Sequence, residues 1–370
     1  MRPDDARHMD RALELGRRGL GNTWPNPAVG CVLVKDGVVV GEGWTQPFGR
    51  PHAETEALAH AGGDALGATA YVTLEPCAHH GQTPPCVDAL VAAGVTRVVA
   101  PFDDLDTRVS GQGFEKLRGA GVEVTTGVGA EAAFKDHVGF FQRTELGRPF
   151  LTLKLATSLD GRIATASGDS QWITGADTRA YVHTLRASHD AVMVGAGTAR
   201  ADDPLLTVRG QDVVRQPVRI VVSRKLDVPT NSKLATTIKD APVWLCHGED
   251  APEEMRQRWE QIGAKLIQVP LDGRQLDIRD LMLALGEQGL TRVFSEGGGD
   301  LAASLLSADV VNQLELHMGG VVIGAEGRPA LGALGLDRLA DAPRFSLENV
   351  RQIGGDVVQS WTHQRRHKPE

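Results

Sequence analysis

Apolar and polar positions repeat along the chain with two different periods, and the switches between them mark out the elements. From Asp5 to Arg18, Met9, Leu13 and Leu15 recur with alanines between them and charges elsewhere, which predicts a helix ending at Gly19. Two strand-like runs follow around Lys35-Asp36-Gly37, where the Asp-Gly pair signals a hairpin. His52 to Ala61 predicts a helix, Ala70 to Glu75 a β-branched strand, and Cys86 opens a further helix after Pro84-Pro85. VTRVVAPFDD predicts another strand, Gly111 to Ala120 a helix, and Val122 onward a short strand. Strands alternating with helices predict a three-layer α/β domain. The pattern breaks at Glu145-Leu146-Gly147-Arg148-Pro149, which places a boundary between domains 1–147 and 148–370.

The second half repeats the alternation. It predicts strands at Phe150–Ala156, Asp190–Gly195, Arg219–Ser223, Pro242–Cys246, Lys265–Val269, Thr291–Glu296 and Val310–Gly319. Helices are predicted over Thr174–Arg186, Glu253–Ile262 and Leu276–Gln288, with another beginning after Gly299. A polar, glycine-containing loop, TASGDSQWIT, is expected over a site, and the basic tail from His363 onward is expected to fray.

Composition narrows the function classes. The 370 residues are 41% hydrophobic, enough for two cores. The net charge of -8 and the lack of any long Lys/Arg run argue against a nucleic-acid surface. The N-terminal stretch is charged and amphipathic, and no run approaches the roughly 20 apolar residues of a membrane span. Four cysteines without a disulfide-like spacing predict a reducing compartment, and the protein is expected in the cytoplasm.

The chemistry concentrates in His52-Ala53-Glu54, Glu75-Pro76-Cys77 and Pro84-Pro85-Cys86. Imidazole and thiolates satisfy zinc, and a catalytic zinc keeps a position open for water. His52, Cys77 and Cys86 supply three ligands, and Glu54 is a carboxylate free to move protons. Helix N-termini at His52 and Cys86 favour hydroxide and thiolate. The order fits hydrolytic removal of an amino group from a ring carbon, although the C-x8-C spacing departs from the C-x-x-C of zinc deaminases acting on bases. A closed structural site would recruit His79 or His80 as fourth ligand, but has no use for Glu54. Asn26, before the first strand, suits either a turn or a hydrogen bond to a flat heterocycle. In the second half, Ser295-Glu296-Gly297-Gly298-Gly299-Asp300 joins a strand to a helix and makes an anion site suited to a pyrophosphate. Arg224 and Lys225 could hold a 2′-phosphate.

NPAVG, HAE and VTLEPCAHHGQTPPC, in that order, resemble the deaminase half of the bacterial RibD family of riboflavin biosynthesis, including its C-x8-C spacing. KLATSLDGRIA, SGDSQWIT, ADDPLLTVR and SEGGGDLAASLL resemble that family's reductase half. The resemblance implies a cytidine-deaminase-like domain followed by a dihydrofolate-reductase-like α/β domain, with zinc and NADPH as cofactors. It implies deamination of 2,5-diamino-6-(5-phosphoribosylamino)pyrimidin-4-one, then reduction of the ribosyl group of the product to ribityl. Glu54 is then the proton shuttle. Ala156, Trp172, Thr198, Asp202, Ser223, Gly297, Gly298, Gly299 and Asp300 become NADPH contacts. Asn26, His79, Lys154, Ser170, Arg186, Leu206, Arg209 and Glu296 become substrate contacts, with Lys154 beside the hydride-transfer locus. By analogy a homodimer is expected. The rivals are a zinc nucleobase or nucleoside deaminase with a degenerate second domain, and a non-catalytic zinc-stabilised module.

Overall fold

The structure is a computed structural model that describes residues 2–79, 84–102 and 111–364. It divides into two compact units, Met1–Gly147 and Arg148–Glu370. Among the described residues no helix is long and apolar enough to cross a membrane.

The first unit holds strands β1 (Gly30–Lys35), β2 (Val38–Trp44), β3 (Thr69–Val72), β4 (Arg97–Val99) and β5 (Glu123–Thr125) in the order β2-β1-β3-β4-β5. Its helices are α1 (Asp5–Arg17), α2 (Ala53–Ala61), α3 (Cys86–Ala92), α4 (Gln112–Gly119) and α5 (Ala130–Leu146). Alternation along β1 sends Cys31 and Leu33 into one core with Ala53, Ala57, Val87, Leu90, Phe114 and Leu117. Val32 and Val34 enter a second core with Met9, Leu13 and Ala133. Thus α2, α3 and α4 cover one face while α1 and α5 cover the other, giving the three layers that the patterning predicts. The β1–β2 turn has positive φ at both Asp36 and Gly37, which is the twist a two-residue hairpin requires.

Two glycines set the height of α2. A Cβ at Gly43 would lie 2.3 Å from the Ala53 carbonyl, and one at Gly41 2.3 Å from that of Ala57. The alanine-rich helix therefore rides close on β2 with its N-terminus fixed. β3 is shorter than expected: it ends at Val72, and the chain turns away so that Glu75 can serve another helix. Sequence patterning gives no sign of α5, whose apolar positions are diluted by charges and by Gly139.

A buried ion pair ties α1 to this sheet. Asp5 accepts from both terminal nitrogens of Arg97 (2.8 and 2.9 Å) and from the Tyr71 hydroxyl (2.9 Å). Removing one partner of such a pair strands a charge, so Asp5→Asn is expected to destabilise this unit by about 3 kcal/mol in urea unfolding. Hydrogen bonding to Arg97 holds the Asp5 carboxyl far below the ordinary carboxylate range. The stabilisation is therefore complete above the unfolded value of about 4 and fades as the pH falls toward the folded one. The variant should lose that part of the acid dependence; an unchanged acid limb would refute the assignment.

The second unit is built on β6 (Phe150–Thr157), β7 (Arg162–Ala164), β8 (Ala191–Gly195), β9 (Val218–Val222), β10 (Val243–His247) and β11 (Lys265–Gln268). There follow β12 (Leu271–Asp272), β13 (Gln275–Leu276), β14 (Arg292–Gly297), β15 (Gln313–Met318), β16 (Arg328–Pro329), β17 (Phe345–Ile353) and β18 (Asp356–His363). Its helices are α6 (Ala176–Ala187), α7 (Ala196–Asp202), α8 (Lys233–Thr236), α9 (Glu253–Ile262), α10 (Ile278–Glu287) and α11 (Gly299–Ser307). Nine strands form one sheet in the order β11-β10-β9-β8-β14-β6-β15-β18-β17. Neighbours from β11 to β15 pair in parallel, and β18 and β17 pair antiparallel at the edge. The β17–β18 hairpin is not anticipated by the sequence reading, which ends on β15 and a loop. Its signal is the Gly354-Gly355 pair between two extended runs. Parallel strands bring the C-terminal ends of β9, β8, β14, β6 and β15 to one edge of the sheet, where open α/β folds bind ligands.

Candidate active sites

In the first unit, three segments deliver the metal-ligating side chains to one place. His52 has extended backbone and forms the N-cap of α2, with Glu54 in the first turn. Cys77 lies in the loop after β3, and Cys86 is the first residue of α3. The His52 Nδ1 stands 3.3 Å from Cys86 Sγ and 3.7 Å from Cys77 Sγ. All three donor atoms lie within 4.8 Å of one another. Bonds of about 2.0–2.3 Å around a tetrahedral zinc place its donors roughly 3.5–3.8 Å apart, so this group fits the ion. Among the described residues the group has these three members only; His79 is exposed and stands outside it, and His80 lies outside the described residues.

Charge within the group follows from burial and contact. A hydrogen bond from the Cys86 thiol, helped by His52 and by the Cys86 amide at 3.3 Å, brings Cys77 down to about 4. The same partnership and burial push Cys86 up. Hydrogen bonding to the Cys77 sulfur raises His52. Glu54 is 4% exposed, and burial followed by the Cys77 charge raises its pKa.

The loop carrying Cys77 is held by residues that the sequence reading leaves without a role. Glu75 accepts backbone amides of Gly111 (2.9 Å), Gly113 (2.7 Å) and Phe114 (3.3 Å), and so caps α4. Lys116 on α4 returns the bond to the Ala78 carbonyl at 2.6 Å. His137 of α5 meets the Thr73 carbonyl at 3.0 Å, just before the loop. The Glu-Pro-Cys tripeptide was the available signal. Asn26 donates to the Gly49 carbonyl at 3.1 Å and thereby shapes the turn leading to His52.

In the second unit, the residues read as cofactor and substrate contacts gather mainly at the C-terminal edge of the parallel strands. Gly297 and Gly298 have φ of 79° and 87°, Gly298 is the N-cap of α11, and Asp300 follows in its first turn. A Cβ at Gly298 would meet Thr198 Oγ1 at 2.8 Å, and that hydroxyl donates to the Gly297 carbonyl at 3.3 Å. The start of α7, with Asp202 at its end, and the glycine turn thus form one backbone cradle, of a shape that suits a pyrophosphate. Ala156 and Lys154 lie on β6 beside it, and burial lowers the Lys154 pKa against the pull of Glu296. Trp172 is 67% exposed, with the Arg179 guanidinium 4.5 Å above its ring, and Ser170 lies in the same loop. Leu206 is buried with a φ of 55°. Its neighbour Leu205 gives its carbonyl to the fully buried Arg219 at 3.3 Å.

Several of these side chains are already engaged. Arg186 forms a two-pronged pair with Glu296, with one prong at 2.9 Å, and also donates to the Thr207 carbonyl at 2.9 Å. Against the burial that would raise it, Arg186 holds the Glu296 pKa down. The exposed Arg209 forms no ion pair among the described residues. Ser223 turns its hydroxyl to Asp227 at 2.7 Å. Arg224 grips Asp250 and donates to the Arg274 carbonyl at 2.7 Å, so Lys225 is the exposed member of the basic pair.

Comparison with known proteins follows this division. Residues 2–101 match the cytidine and deoxycytidylate deaminase zinc-binding region, and residues 149–359 match the RibD C-terminal domain. The chain is 42% identical to the riboflavin biosynthesis protein RibD of Escherichia coli (strain K12), over 95% of this chain and 98% of that one. It is 40% identical to RibD of Haemophilus influenzae, over 97% of each. Among solved structures, one form of Acinetobacter baumannii RibD superposes with a TM-score of 0.88 at 36% identity, covering 98% of this chain and 99% of that one. The diaminohydroxyphosphoribosylaminopyrimidine deaminase/5-amino-6-(5-phosphoribosylamino)uracil reductase of Thermotoga maritima gives 0.85 at 34% identity, covering 97% and 99%.

Proposed function

Because the chain belongs to the RibD family of bifunctional riboflavin-biosynthesis enzymes, we propose that its two units catalyse consecutive steps on one pyrimidine. The first unit removes the 2-amino group of 2,5-diamino-6-(5-phosphoribosylamino)pyrimidin-4-one by hydrolysis. The second reduces the ribosyl group of 5-amino-6-(5-phosphoribosylamino)uracil to ribityl with NADPH. The observation that carries the first step is the three-ligand group with the buried Glu54 beside it.

Zinc, when bound by His52, Cys77 and Cys86, makes water a nucleophile near neutral pH. Glu54 takes one proton of that water and delivers it to the ring nitrogen; it then takes the second proton from the hydroxyl now on the ring carbon and passes it to the amino group, which leaves as ammonia as the carbonyl forms. The first turn of α2 holds its carboxylate in place for each transfer. NADPH, when bound, supplies the hydride, and the protein supplies orientation and charge. The glycine cradle with Thr198 and Asp202 would hold the cofactor, with Ala156 and Trp172 flanking it. Lys154, Glu296, Ser170 and Leu206 would face the substrate. Arg209 would take its phosphate, and Arg186 would hold Glu296 in register. A cytoplasmic setting and a homodimer belong to the same reading.

Incubation of the purified protein with the diaminopyrimidine and NADPH tests it. Ammonia should appear with or without NADPH, and NADPH absorbance should fall only as deaminated product accumulates. Ammonia without any NADPH oxidation would favour the rival reading, a deaminase with a degenerate second unit.

A further inference from the structure

One buried cluster beside the reductase site has no part in the reading above. On β15, Glu315 is the pairing partner of Lys154, and His317 that of Ala156. Partners across a parallel pair project from the same face of the sheet, so these four side chains share one surface. His317 is 0% exposed and Glu315 2%. Among the described residues, neither ring nitrogen of His317 has a hydrogen-bond partner, nor does Glu315 Oε2. The His317 Nε2 and the Glu315 Oε2 stand 3.9 Å apart, while Gln313 donates to Glu315 Oε1 at 2.8 Å. An unsatisfied buried polar group destabilises the fold, and an apolar residue would fill the space without that cost.

The surroundings of His317 are few. From α6, the Tyr181 ring lies 6.0 Å away, centroid to centroid. From β17, Arg351 covers Tyr181 and donates to its hydroxyl at 3.3 Å. β18 contributes the apolar Val358 as pairing partner. Burial, then the charge of Lys154, lowers the His317 pKa; Glu315 and, from β14, Glu296 oppose them. A neutral imidazole carries one N–H and one lone pair, so it can receive a proton on one side and release one on the other.

We propose that His317, backed by Glu315, is a positioning residue for the reduction, acting through Lys154 to resupply the proton each turnover consumes. This rests on the assignment of the reduction to the second unit. In that step the ribosylamine ring opens to its imine, a hydride from NADPH forms the new C–H bond at the former anomeric carbon, and the C=N π electron pair passes to nitrogen. The nitrogen takes one proton from Lys154, NADPH is oxidised to NADP+, and the sugar carbon is reduced. Lys154 must regain that proton, and His317, diagonal to it across the β6–β15 pair on the same face, is the buried group there that can both take up and release one.

The test uses the full-length, zinc-loaded protein with His317→Gln and Glu315→Gln. With the deaminated substrate, His317→Gln should lower kcat for NADPH oxidation by about 10²-fold and raise the solvent deuterium isotope effect. NADPH affinity, read from nicotinamide fluorescence, should change by less than about twofold. Glu315→Gln keeps the shape and should move the alkaline limb of the kcat profile to lower pH, because the carboxylate no longer favours the imidazolium. A second readout needs no turnover: ring nitrogen resonances missing from His317→Gln report its titration in the cofactor-free protein. Lys154→Met should raise that pKa and Glu315→Gln should lower it. Wild-type kcat in His317→Gln, an unmoved titration in Lys154→Met, or a kcat loss matched by equal losses of NADPH affinity and thermal stability would each overturn the inference. A wild-type protein that oxidises no NADPH with this substrate would overturn the functional assignment instead.

Discussion

Glu54→Gln is expected to keep its zinc and lose deamination by about 10²–10⁴-fold, the usual contribution of a positioned proton-transfer group. At the transition state that corresponds to about 3–5 kcal/mol. The direction follows from the geometry. The metal group consists of His52, Cys77 and Cys86, so the variant removes no ligand. Glutamine has the same shape but cannot carry a proton between water, ring nitrogen and leaving ammonia. Stability should hold, since burial already disfavours the charge at this position. Zinc content by atomic absorption and ammonia release on the diamino substrate together decide the matter. Ammonia release near the wild-type rate would remove Glu54 from the proton path.

Cys86→Ser should produce the opposite division: no zinc, no deamination, but continued NADPH oxidation with the already deaminated pyrimidine. Cys86 supplies a ligand and also donates its amide to the Cys77 sulfur at 3.3 Å. Serine keeps that backbone amide but replaces a thiolate ligand with a poorly ligating hydroxyl, so only two of the three zinc ligands remain. Metal binding free energy is also folding free energy for the first unit, so that unit should melt at a lower temperature. A fragment from Arg148 to Glu370 should behave likewise, folding and reducing the deaminated compound while releasing no ammonia. The support is that the second unit has its own core, in which Trp259, Phe294, Leu245 and Val192 are fully buried. A soluble, folded fragment without reductase activity would show that the two halves share a site.

The metal group was legible in the sequence because its chemistry needs particular residue types at particular element ends. His52, Cys77 and Cys86 announce themselves by identity, and the helix and strand periods around them give their placement. The glycine turn was legible for a similar reason, since the positive φ at Gly297 and Gly298 favours glycine. What could not be read is which polar side chain meets which across long stretches of chain. Arg186 meets Glu296 across 110 positions, and no local pattern encodes that pair. It ties one expected substrate contact, Arg186, to another, Glu296. Arg224 is likewise drawn to Asp250, and Ser223 to Asp227. The helix α5 and the β17–β18 hairpin escaped because charged residues interrupt their apolar repeats. His317 looked like an ordinary strand residue until the sheet placed it diagonal to Lys154.

The Glu75 cap bears on how natural variation in this chain is to be interpreted. A side chain at Gly113 would put its Cβ 2.3 Å from the Pro76 carbonyl and 2.9 Å from a Glu75 oxygen. An inherited Gly113→Ala change lies far along the chain from every ligand and alters no charge. Yet it would press on the peptide immediately before Cys77, so its phenotype would be that of a zinc-poor deaminase with a sound reductase. In a collection of riboflavin-requiring strains, such an allele would group with changes at His52 and Cys86 and be partly relieved by zinc in the medium.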